Sequence, residues 1–130
     1  MGLSKTQISK LYVTIFGRAS EGEGNIYWQQ QAGNMSDIAN DMLNTQAAKD
    51  YFGATLNDNQ AFIEFIYKNS LNKTYEQDPG GINYWTNLLD SGVSKGEIVK
   101  MMIEAIDSYA PDGINYDPND IATVNAYNQF

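Results

Sequence analysis

With 130 residues and 8 basic against 16 acidic side chains, the chain carries a net charge of −8, which excludes nucleic acid or a bare anionic bilayer as an electrostatic partner. Hydrophobic residues make up 42% and aromatic residues 12%, too much for a disordered segment, and the length suits one helical domain spanning residues 1–130. There is no cysteine and no histidine, which removes disulfides, thiol nucleophiles and the commonest general base and transition-metal ligand.

Ser4 followed by Gln7 reads as a capping box, and Ile8, Leu11, Tyr12, Ile15 and Phe16 then share one helical face up to a stop at Gly17. Residues 19–24 form a polar loop with Glu21, Glu23 and two glycines. A second helix carries Ile26, Tyr27 and Trp28 and stops at Gly33–Asn34; Ser36 and Asp37 start a third with Ile38, Met42 and Leu43 inward. A short helical turn over Ala47–Phe52 leads to Gly53.

Asn59 heads the next helix, whose stripe is Phe62, Ile63, Ile66 and Tyr67. After a loop over Thr74–Gly81, Asp78–Pro79 starts a helix holding Tyr84, Trp85, Leu88 and Leu89. Ser94 and Glu97 form another capping box ahead of Ile98, Met101, Met102 and Ile106, and a last helix is expected at about 117–129. No segment alternates apolar and polar residues long enough for a strand, so the fold class is all-α. No run approaches the ~18 apolar residues of a membrane-spanning helix. The opening Met1–Lys5 lacks the apolar core of a secretory signal, so export would take another route.

The chain also repeats itself. Tyr12, Phe16 and Arg18 correspond at one constant offset to Tyr67, Leu71 and Lys73, and Gly24-x-x-Tyr27-Trp28 to Gly81-x-x-Tyr84-Trp85 after a longer loop. The reading is two related multi-helix units, residues 3–53 and 59–109, packed together. Trp28 and Trp85, at matching places, read as an interlocking core and are expected to be largely buried, although flat rings of this kind also stack on sugars.

Three loops concentrate oxygen ligands: Glu21 and Glu23; Glu76 and Asp78; and Asp112, Asn115, Asp117, Asn119 and Asp120. Calcium wants roughly 6–8 oxygens, so Glu76, Asp78, Asp112, Asn115, Asp117 and Asp120 are its candidate ligands. None of the loops follows the EF-hand register, and Asp or Asn ahead of a helix is also an ordinary cap. A glycan surface is expected from Tyr75, Asn83, Tyr109, Asn115 and Tyr116, in or beside loops, where tyrosine stacks its ring and keeps its hydroxyl bonded. No nucleophile elbow and no phosphate loop is present, and a non-catalytic protein is expected.

The block Leu11–Arg18 with Gly24–Trp28, and its echo Ile66–Lys73 with Gly81–Trp85, resembles the domain-of-unknown-function 4214 repeat of type-I-secreted RTX and surface-layer proteins. Asn72–Lys73 replaces the usual Gly–Arg, and the first loop has Glu21 where Asp is usual. The opening Leu3–Tyr12, with Ala19–Gly22 after it, is similar to the N-terminal segment of Campylobacter-type RTX surface-layer proteins. The resemblance implies an N-terminal anchoring domain of a secreted, cell-surface protein of a Gram-negative bacterium, with the RTX repeats and secretion signal beyond Phe130. It implies binding to cell-surface lipopolysaccharide, of which the O-polysaccharide is the part an acidic chain is expected to read. The net charge favours a neutral glycan or a calcium bridge as the means. The alternative is a protein–protein module that joins neighbouring copies in a lattice or positions a secreted adhesin.

Overall fold

A computed structural model describes residues 2–18, 20 and 22–107. The expected C-terminal helix at 117–129 lies outside them. Ser4 opens helix α1 (Lys5–Phe16) with a reciprocal capping box: the Gln7 amide donates to Ser4 Oγ (3.2 Å) and the Ser4 amide to Gln7 Oε1 (2.9 Å). Gly17 ends the helix in the left-handed region at φ 67°. Helix α2 (Gly22–Gln29) begins inside the stretch that the sequence reads as a glycine loop.

Helix α3 (Met35–Leu43) starts earlier than expected, because Asn34, not Ser36, takes the cap. Asp37 decides the choice: its amide donates to Asn34 Oδ1 (2.9 Å) and its carboxylate accepts from the Asn34 amide (3.1 Å). Helix α4 (Gln46–Phe52) is capped by Thr45 and runs into a 3-10 turn, Gly53–Asn57. Helix α5 (Asn59–Ile66) is capped by Asp58, whose Oδ2 accepts the Ala61 amide at 2.8 Å, one residue before the Asn59 of the sequence reading. It continues as a π turn, Tyr67–Leu71, which Asn72 closes at φ 54°. Gly17 and Asn72 thus meet the same backbone demand, and asparagine is among the few side chains that tolerate it.

Asp78 and Pro79 start helix α6 (Pro79–Asp90) as expected. Helix α7 (Lys95–Asp107) realises half of its expected capping box. Ser94 Oγ accepts the Glu97 amide (3.1 Å), but the Glu97 carboxylate is held below the usual carboxylate range by the Ser36 hydroxyl and then by Lys100 (3.3 Å). Among the described residues there is no strand, and no helix is long and apolar enough to cross a membrane.

One apolar core runs through the helices. Ile8, Leu11 and Ile15 of α1 meet Ile38 and Met42 of α3, Phe62, Ile63 and Ile66 of α5, Ile82 of α6, and Ile98, Val99 and Ile103 of α7, all but fully buried. Helix α7 packs most extensively on α3 and also touches α1 and α6. The α3–α7 approach passes over Gly96, where a Cβ would run into the Ser36 carbonyl oxygen and the Asn40 side chain. The same backbone donates from Gly96 N–H to Asn40 Oδ1 at 2.7 Å. The end of α1 is fastened to the π turn by buried Ser70, whose hydroxyl sits 2.9 Å from both the Val13 and Thr14 carbonyls.

The tryptophans depart from the expected interlocking core. Trp28 and Trp85 are half-buried and pack against the core from its rim, while the deepest positions belong to aliphatic residues and Phe62. For Trp85 the rim placement goes with its indole N–H, which finds the Tyr67 hydroxyl at 3.2 Å.

A paired glycine test follows. Gly96→Ala forces a methyl against backbone and is expected to lower unfolding free energy by about 1–3 kcal/mol. Gly80→Ala on α6, where a Cβ meets nothing within 4 Å, is expected to raise it by about 0.5–1 kcal/mol. Urea midpoints of the two variants against the parent chain give both values; equal midpoints would contradict the close α3–α7 approach.

Candidate functional site

Helix α6 is positioned by a small polar cluster beneath its first turns. Tyr67 is 4% exposed, and its phenol oxygen accepts a hydrogen bond from Trp85 Nε1 at 3.2 Å. The same hydroxyl lies beside the Asp78 carboxylate, which caps α6 by accepting the Gly81 amide at Oδ1 (3.1 Å). Gly81 is the residue this geometry requires, since a Cβ there would stand 2.6 Å from the Tyr67 hydroxyl. Burial, then the neighbouring Asp78 charge, push the Tyr67 phenol up to about 12, against the Trp85 hydrogen bond.

With Ile82, Trp85 and Leu89 turned inward or against the core, the opposite face of α6 is fixed in solvent. That face presents Gly80, Asn83, Tyr84 and Asn87 at helical spacing, all exposed, with Tyr84 at 54%. Tyr84 stacks edge-on against Trp85 with ring centroids 4.9 Å apart. Asn83 lies beside the Thr74–Gln77 loop, where its amide nitrogen is 3.2 Å from the Tyr75 hydroxyl. Asp90 is the charged residue of α6, at its far end, so the face is neutral within a strongly acidic chain. A tyrosine ring beside two amides can stack on the apolar side of a sugar and pair with its hydroxyls.

Helix α2 offers the counterpart. Gly24 lies under Tyr12, where a Cβ would be 2.9 Å from the hydroxyl, as Gly81 lies under Tyr67. The face beyond it carries Ile26 (56% exposed), Tyr27 (55%) and Gln30. The inward residue is Asn25, where α6 has Ile82. Asn25 Nδ2 lies 2.8 Å from Ser20 Oγ, 3.2 Å from Ser9 Oγ and 3.3 Å from the Lys5 carbonyl. Helix α2 is therefore held to α1 by amide hydrogen bonds, α6 to the core by apolar burial.

Of the expected glycan residues, Tyr75 and Asn83 come together, and Tyr109, Asn115 and Tyr116 lie outside the described residues. Of the expected calcium ligands, Asp112, Asn115, Asp117 and Asp120 lie outside them, as does Glu21. Asp78 is engaged as the α6 cap, Glu76 is exposed in its loop, and among the described residues no three acidic side chains gather to hold a metal. Tyr84 and Asn87 were missed. The inward spacing Ile82, Trp85, Leu89 is the signal that places Tyr84 off the buried stripe, since residues three and four apart share a helical face.

The model of the family described as Domain of unknown function (DUF4214) matches residues 38–108, from α3 through the end of α7. The Leu11–Trp28 block precedes that match. No curated protein and no solved structure matches the chain.

The raised Tyr67 phenol has a pH consequence. Above pH ~10 the unfolded tyrosine ionises while the folded one stays protonated, so its stabilising contribution is full below pH ~10 and is lost as pH rises towards about 12. Tyr67→Phe is expected to be less stable at neutral pH by about 1–3 kcal/mol, having left the Trp85 indole N–H without its partner. Between pH 10 and about 12 its stability should fall less steeply than the parent's. Urea unfolding at pH 7, 10 and 11.5 checks this; parallel losses in both proteins would show that Tyr67 ionises as an exposed tyrosine does.

Proposed function

Since the chain belongs to the DUF4214 family of domains of unknown function, its role has to be read from its own surface, and we propose that it is a non-catalytic glycan-binding anchor. The observation that carries the proposal is the neutral, exposed Asn83–Tyr84–Asn87 face of α6, with Tyr75 beside it, in a chain of net charge −8. On the α6 face, which carries no cation, a charged glycan would meet repulsion, whereas uncharged sugars are recognised by ring stacking and amide hydrogen bonds.

The ligand in this reading is the O-polysaccharide of lipopolysaccharide, and the setting is the surface layer of a Gram-negative bacterium, reached by type I secretion. The resemblance of Leu3–Tyr12, with Ala19–Gly22 after it, to surface-layer anchors supports that setting. The matched Gly24–Tyr12 and Gly81–Tyr67 approaches support two related units. Calcium, held by the Asp112–Asp120 segment, would extend the reading to anionic sugars.

A second reading rests on α2. Ile26 and Tyr27 expose an apolar pair larger than a solvated helix needs, which favours a contact with a neighbouring copy in a lattice.

Retention of the chain on lipopolysaccharide-bearing cells, against cells stripped of O-polysaccharide, separates the two. The anchor reading expects loss on stripped cells and little change as the Debye length shrinks from ~30 Å to ~8 Å with added salt. Tyr84→Ala should weaken retention about tenfold, as removal of an aromatic anchor does. Loss on adding a chelator would mark calcium as part of the contact. Equal retention on both cell types would overturn the anchor and favour the subunit contact.

A further inference from the structure

A hollow of about 340 Å³, with no lining residue from α6, opens between the end of α3, α4, the 3-10 turn and the start of α7. Lys49 and Lys95 both line it, in a chain with only 8 cations, and among the described residues no acidic side chain does. Neither lysine is in an ion pair among the described residues. Lys95 is steadied by Phe62, its Nζ standing 5.8 Å from the ring centroid.

The remaining lining is suited to a sugar ring. The side-chain amides of Asn44 and Asn57 have no hydrogen-bond partner among the described residues, whereas Asn40 spends its amide on Gly96 and Ser94. Each free amide can donate to and accept from a hydroxyl. Leu43 and Leu56 supply apolar surface at the same wall. Two point charges, two unspent amides and an apolar ledge in one hollow match a ligand with one anionic group, several hydroxyls and one C–H face. The volume, at the low end for small-molecule sites, suits a single monosaccharide better than an extended chain.

We propose that this hollow binds a uronate unit, with its carboxylate between Lys49 and Lys95, its hydroxyls on Asn44 and Asn57, and its ring on Leu43 and Leu56. A bare inorganic anion uses the lysines and the amide N–H groups but brings no hydroxyl for the amide carbonyls and no C–H face for the leucines. No lining residue lies on α6, so the site stands or falls separately from the neutral face there.

The test titrates the whole chain with galacturonate, galactose and acetate, following the backbone and side-chain amide resonances by NMR. Galacturonate should give saturable shifts at Asn44 and Asn57 in the millimolar range. Galactose, lacking the charge, and acetate, lacking the ring, should each bind about tenfold more weakly or worse. Lys49→Gln and Lys95→Gln, each with an unchanged melting temperature, should each weaken galacturonate by about tenfold, and added salt should weaken it further. Tyr84→Ala should leave it unchanged. No saturable shift at tens of millimolar galacturonate would overturn the proposal. So would acetate binding as well as galacturonate, or either lysine variant binding like the parent.

Discussion

A single buried hydroxyl sets the surface of this protein. Tyr67 leaves α5 at the point where the helix loosens into a π turn, and its phenol receives Trp85 and reaches Asp78. Both partners belong to the start and middle of α6, so the hydroxyl fixes that helix in position and in rotation. Once Trp85 is tied down, Ile82 and Leu89 fall into the core and Tyr84 has no direction left but outward. Gly81 is the accommodation that lets the phenol come so close. The proposed binding face is thus a consequence of an interior contact, and its residues are not free to repack.

Electrostatics make that face distinctive. Acidic residues outnumber basic ones two to one, yet α6 is neutral until Asp90 and the hollow between α3, α4 and α7 is lined by two lysines. A uniformly acidic surface keeps a protein soluble and repels anionic partners; local departures from it are where a partner can approach. The α2 face departs in another way, by exposing Ile26 and Tyr27 over a polar attachment through Asn25. Helix α2 therefore presents an apolar face and helix α6 an amide face.

Much of the helical plan was legible because it rests on local chemistry. Ser4 with Gln7, Asp78 with Pro79 and the glycine at 17 act within a few residues of themselves. Where two cap formers stood close together the choice went astray: Asn34 won over Ser36 and Asp58 over Asn59, since the reciprocal or better-placed amide decides. The π turn at Tyr67–Leu71 was not legible, because Ser70 is drawn by carbonyls of α1 that are distant in sequence. The depth of the tryptophans was misjudged for a similar reason: identity suggests burial, but the reach of Trp85 to the Tyr67 hydroxyl keeps it at the rim. Of the site, Tyr75 and Asn83 were readable as loop-side polar groups, while Tyr84 adjoins Trp85 in an aromatic pair whose composition alone points to the core. The lysine-lined hollow draws residues from four separate elements, and no linear pattern announces it.

The claim that Tyr67 governs α6 is tested most directly by amide hydrogen exchange in Tyr67→Phe. The account predicts that amides of α6 and of the Thr74–Gln77 loop lose protection by about tenfold or more, a local opening costing over 1 kcal/mol less, while those of α3 and α7 keep theirs. Unchanged protection in α6, or an equal loss in every helix, would contradict it.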